Sequence, residues 1–218
     1  MKKFLIALAA VLFLFSGLAF AATPVKNAAY SLKNSNQFNC GNLCVLKQDN
    51  IVVFSLSLMR GNETKGVKEI NIAGSGILEK IEKTSMAKCF VDEEQEITIK
   101  WHADRKHVSI FHKGIFSVDP DGVYELNGSD FDWNENLARV FIESLSPALT
   151  SLNSYNRPYR FELGDEPVKN GKFYPAKFIY EKNGSVISEF LLSTEKSPLK
   201  VYRVVDGKPE LIYGNTKK

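Results

Sequence analysis

The chain has 218 residues, 28 Lys and Arg against 25 Asp and Glu, and a formal net charge of +3. That balance excludes the strongly basic field that attracts nucleic acid or an anionic membrane. The length allows one domain with a real core, or two small ones.

The first element is a leader. Lys2 and Lys3 precede an apolar run from Phe4 to about Phe15, and Ala19-Phe20-Ala21 follows. Basic, apolar and small-residue parts in this order predict a secretory signal peptide over 1–21. The apolar run is short for a membrane span, which needs about 20 residues, so no transmembrane segment is expected after cleavage. Loss of Lys2 and Lys3 lowers the net charge to +1. The remaining 22–218 is read as a single β-rich domain, periplasmic or secreted, where disulfides can form.

The stretch Cys40-Gly41-Asn42-Leu43-Cys44 comes next. A thioredoxin-type site has two residues between its cysteines and opens a helix; here there are three, and no helix pattern follows. A haem attachment site would need a histidine after the second cysteine, and a closed zinc site would need four ligands. A local disulfide Cys40–Cys44 across a tight turn is the simplest reading. A bridge from one of them to Cys89, free thiols or a metal role stay open.

Beyond it, Val52, Phe54, Leu56 and Leu58 alternate with Ser55 and Ser57, the period of a half-buried strand. Gly61-Asn62 begins a loop, and Val67–Ala73 reads as the returning strand. The stretch 77–87 suits a short helix or a strand. Ile97–Ala103 and Val108–Val118 read as a hairpin, with Ala103 opposite Val108 and Trp101 opposite Ile110. Asp119-Pro120-Asp121-Gly122 is a turn sequence.

One segment reads as helical. Asp132 and Glu135 form a capping-box pattern, and Leu137, Val140, Phe141, Leu145 and Leu149 recur at helical spacing. Pro147 interrupts it, with a second short helix expected to about Leu152. Strands return on either side of two hairpin signals, Asn183-Gly184 and Asp206-Gly207. In the second, Tyr202 should face Leu211 and Arg203 should face Glu210.

Catalytic and metal chemistry finds little footing. His102, His107 and His112 lie close in sequence, but the strand pattern puts His112 on the face opposite the other two. Asp130, Asp132 and Asn134 match three positions of a calcium loop, yet Glu135 stands where it needs Gly and Phe141 where it needs Glu. Ser197 to Lys200 fits Ser-x-x-Lys but leads into a strand. The acids Asp92, Glu93, Glu94 and Glu96 read as solvated surface. No catalytic residue, metal site or cofactor is expected.

The order of elements (leader, strands, one central helix, closing strands) resembles the periplasmic lipoprotein carriers of the LolA and LppX type. The segment Gly171–Gly214, GKFYPAKFIYEKNGSVISEFLLSTEKSPLKVYRVVDGKPELIYG, also resembles an uncharacterised periplasmic β family. The resemblance implies a curved antiparallel sheet around a helical lid, with acyl chains held inside. The fold class expected is thus mainly β, a curved antiparallel sheet or half-barrel with one Pro-interrupted helix packed on it. The leading expectation is a non-catalytic envelope protein that binds a hydrophobic ligand, with a lipid or lipidated protein as partner. Its lining would be Phe54, Leu56, Trp101, Ile110, Phe141, Phe178 and Tyr202. The alternative is a structural or assembly factor acting through protein–protein contacts; an uncharacterised hydrolase is third.

Overall fold

The computed structural model describes residues 27–81, 84–128, 131–145, 158–195 and 199–214. The leader and the second helical turn expected near Leu149 lie outside them.

Eight antiparallel strands close into a barrel: β1 (Ala28–Leu32), β2 (Asn39–Gln48), β3 (Ile51–Asn62), β4 (Gly66–Ile81), β5 (Thr84–Phe90), β6 (Glu96–Trp101), β7 (His107–Lys113) and β8 (Gly122–Gly128). Each strand pairs with the next, and β8 returns to β1, with Leu126 opposite Tyr30. Alternation decides which side chains enter. Val52, Phe54, Leu56 and Leu58 face inward, joined by Leu43, Val45, Ile97, Ile99, Val108 and Ile110. An eight-stranded barrel is just wide enough for side chains to fill, and these residues do so. The outer wall of β5–β7 carries exposed Lys88 and Lys100.

The segment 77–87, open between helix and strand, is strand on both sides of the β4–β5 connection. Glycine permits the close approach there: a Cβ on Gly76 would run into the Lys88 carbonyl of β5.

The hairpin register of β6 and β7 differs from expectation by two residues. Trp101 faces Val108 and Ile99 faces Ile110. The Asp104 carboxylate accepts from the Lys106 and His107 amides at 2.9 and 3.1 Å, and Arg105 takes φ 61°. These bonds stabilise a five-residue connection, and a two-residue shift leaves every side chain on its expected face.

The helix α1 (Glu135–Leu145) follows the barrel. Its cap is Asn134, not Asp132: the Leu137 amide donates to Asn134 Oδ1 at 2.9 Å. A second antiparallel sheet then forms from β9 (Tyr159–Leu163), β10 (Phe173–Tyr180), β11 (Val186–Ser193), β12 (Val201–Val205) and β13 (Lys208–Tyr213), in the order β13-β12-β11-β10-β9. Both hairpin signals sit at its turns. Asp206 and Gly207 take φ 50° and 74°, the left-handed pair that a two-residue hairpin turn requires. Tyr202 faces Leu211 and Arg203 faces Glu210, as expected.

The mainly-β antiparallel class therefore holds, while the half-barrel does not. The barrel closes on itself, and α1 lies outside it. Leu137, Ala138, Phe141 and Ile142 pack in one cluster with Leu46 and Val53 from the outer barrel wall and Phe161, Phe178 and Phe190 from the second sheet. The two-sided burial of β2 and β3 follows from this: one face fills the barrel, the other seats the helix.

Candidate functional site

The seven residues expected to line a ligand cavity fall into separate places. Phe54, Leu56, Trp101 and Ile110 belong to the barrel core. Phe141 and Phe178 belong to the cluster between helix and second sheet. Tyr202 stands on β12, edge-on to Phe173 at 5.4 Å. None of the seven borders either of the two clefts described below.

The Cys40–Cys44 disulfide is also corrected. CGNLC lies within β2, not at a turn, and pairs along its length with β3. Residues four apart on a strand are about 13 Å apart, beyond the roughly 7 Å a disulfide spans. No disulfide joins Cys40, Cys44 and Cys89 in the structure. Cys44 faces the helix, whereas Cys89 is fully buried inside the barrel. Burial, with Glu96 adding to it, pushes the Cys89 thiol up to about 12.

The histidines divide as the strand pattern implies. His102 and His107 stand 6.0 Å apart at the β6–β7 connection. His102 Nε2 meets Ser109 Oγ at 2.7 Å, and His107 Nδ1 meets Asp104 Oδ2 at 2.6 Å. The bond to His107, with the Lys106 amide next, holds the Asp104 carboxyl down at about 2. Neither cleft is lined by this group.

His112 belongs to the opposite end of the barrel. There the β7–β8 connection, residues 114–121, folds across the mouth. Val118 and Phe116 pack on the barrel core, the Tyr124 hydroxyl donates to the Pro120 carbonyl at 3.3 Å, and the Arg60 guanidinium donates to the Asp121 carbonyl. Burial pushes the Tyr124 phenol up to about 12. His112 Nδ1 lies 2.7 Å from Asp121 Oδ1 and 3.5 Å from Asp119 Oδ1. Beside them opens a cleft of about 530 Å³, lined by Leu32, Lys33, Asn36, Asn39, Arg60 and Asp121 among others. Arg60 Nε is enclosed and has no hydrogen-bond partner. Sequence reasoning took Asp119 to Gly122 as a turn and nothing more. The signal it passed over is the spacing His112, Asp119, Asp121, which turn chemistry alone does not require.

The second cleft, about 370 Å³, lies between β1–β3 and the segment 131–134. Cys44, Ser55 and Ser57 border it, and the Asn134 amide donates to Ser55 Oγ at 3.1 Å. No histidine lines it to activate a hydroxyl or thiol.

The remaining feature is the barrel wall that α1 leaves uncovered. Ile77, Lys88, Thr98 and Phe111 form one cross-strand row over β4–β7, and Phe90 stands in the next row. Ile77 and Phe90 are each 59% exposed and Phe111 is 49% exposed.

No protein family, curated protein or solved structure matches the chain. Among the described residues no helix is long and apolar enough to cross a membrane.

Proposed function

We propose that the protein is an exported, non-catalytic assembly or interaction factor of the bacterial envelope, which holds a partner protein on the uncovered β4–β7 wall. The observation that carries this reading is the apolar group Ile77, Phe90 and Phe111, exposed among Lys88, Glu96 and Lys113. Aromatic anchors in a charged surround are the composition of protein-binding surfaces. The inward faces of the same strands already have a role, since they fill the barrel.

A hydrophobic ligand or lipidated partner inside the sheet is the competing reading, favoured by the carrier-like order of elements. It requires Phe54, Leu56, Trp101 and Ile110, all buried in a common core, to part for an acyl chain.

A photocrosslinking residue placed at Phe90 or Phe111, with one at Lys182 on the β10–β11 turn as control, separates the two in cells of the source organism. Discrete protein adducts at the wall positions, lost in the Ile77→Glu background, support the assembly reading. Equal labelling at Lys182, or co-purifying lipid in native mass spectrometry without wall adducts, overturns it.

A further inference from the structure

We propose that His112, Asp119 and Asp121 form a binding site for a divalent transition cation on the rim of the barrel mouth. One ligand atom from each residue can be chosen so that all lie within 4.8 Å of one another. His112 Nδ1 faces both carboxylates, 2.7 Å from Asp121 Oδ1 and 3.5 Å from Asp119 Oδ1. Ligands about 2.1 Å from a common ion stand roughly 3.0–3.4 Å from one another. The two distances from His112 bracket that edge length, and the third pair stays within 4.8 Å.

The arrangement is held from outside the cluster. The Phe116 ring meets the His112 ring edge-on at 5.4 Å, and Phe116 packs on the barrel core. Tyr124 and Arg60 hold the backbone carbonyls of Pro120 and Asp121. The ligands therefore come from a strand and from a connection that the barrel itself anchors.

The donor set selects the kind of ion. An imidazole nitrogen with two carboxylates suits Zn²⁺ or Mn²⁺ better than Ca²⁺ or Mg²⁺, which prefer all-oxygen sets. The cleft of about 530 Å³ lies alongside and is bordered by Asp121. Arg60 lines that cleft with its enclosed, unpartnered Nε. Arg60 donates to the Asp121 carbonyl, and Asp119 Oδ1 accepts from the Asp121 amide at 2.9 Å, which leaves its other oxygen lone pairs for an ion.

The test uses the full mature chain stripped with chelator. Calorimetric titration with zinc chloride should show one ion per chain. The affinity should fall more than about tenfold in His112→Gln and, separately, in Asp119→Asn. Calcium chloride should give no comparable heat. Both variants keep a polar side chain at an accessible position, and their circular dichroism should match the parent. Independently of any variant, substoichiometric Mn²⁺ should broaden the His112 ring resonances before those of His102 and His107. Absence of zinc binding, equal binding by His112→Gln, or first broadening at His102 and His107 overturns the site.

Discussion

The Trp101 indole N–H donates to the Tyr30 hydroxyl at 3.3 Å through the barrel interior, joining β6 to β1 across 71 residues of sequence. Burial also raises the Tyr30 phenol above its ordinary 10.0, the Trp101 bond partly offsetting it. The bond satisfies the one polar atom of a large buried side chain, and an orphaned partner would cost about 1–3 kcal/mol. Tyr30→Phe should therefore lower unfolding free energy by about that amount, read from urea denaturation. Trp101→Ala should cost about 3–5 kcal/mol, because a filled barrel cannot collapse around the hole. A loss below about 1 kcal/mol for Trp101→Ala would mean an interior with room to spare, and would return the hydrophobic-ligand reading to first place.

The cysteines give a second expected outcome. Thiol counting in denaturant, without reductant and on freshly purified protein, should find three free sulfhydryls per chain. In the native state half-buried Cys40 should react first, Cys44 slowly beneath the helix, and Cys89 last. A count of one would mean a disulfide that contradicts either the continuous strand β2 or the place of Cys89 inside the barrel.

Alkaline pH should destabilise the fold in a defined window. Cys89 rises from an ordinary 9.0 to about 12 and Tyr124 from 10.0 to about 12. Both are raised in the folded state, so their contribution is fully present below the unfolded values. As pH climbs past 9, the unfolded chain releases protons that the folded chain retains. Stability then falls, by up to about 1.4 kcal/mol per pH unit for each group, until the folded values are reached. Cys89→Ala should flatten the profile between pH 9 and 10, where the Tyr124 phenol is still largely protonated in both states. An unchanged slope there would show that Cys89 is not the group responsible.

How much of this was legible in the sequence depends on range. Local signals carried well: the alternation at Val52–Leu58, the Asn183-Gly184 and Asp206-Gly207 turns, and the Tyr202–Leu211 register all report on neighbours a few residues away. Closure did not. Whether β8 returns to β1 depends on pairing Tyr30 with Leu126, and two short strands carry no mark of each other. The apolar faces were found, but their separation into two cores was not, because Phe54 and Phe178 look alike until the wall between them exists. The mouth site failed for a different reason. The partners of His112, Asp119 and Asp121, come from a connection whose fold-back over the barrel is tertiary.

The helix cap supplies the last expected outcome. Asn134 has two jobs: its Oδ1 accepts from the Leu137 amide at 2.9 Å, and its Nδ2 donates to Ser55 Oγ on the outer barrel wall at 3.1 Å. The first bond satisfies an N-terminal amide that the helix cannot pair itself, and the second ties that terminus to β3. Asn134→Ala should cost about 1–2 kcal/mol in denaturant unfolding. Asn134→Asp should cost less, because it keeps the acceptor and places negative charge at the positive end of the helix. Ser55→Ala should remove only the tether, and the double variant with Asn134→Ala should lose less than the sum of the two, since they share one bond. Asp132→Ala should change stability by less than about 0.5 kcal/mol. If Asp132→Ala proves as damaging as Asn134→Ala, the helix begins two residues earlier, as the capping-box pattern alone would have it.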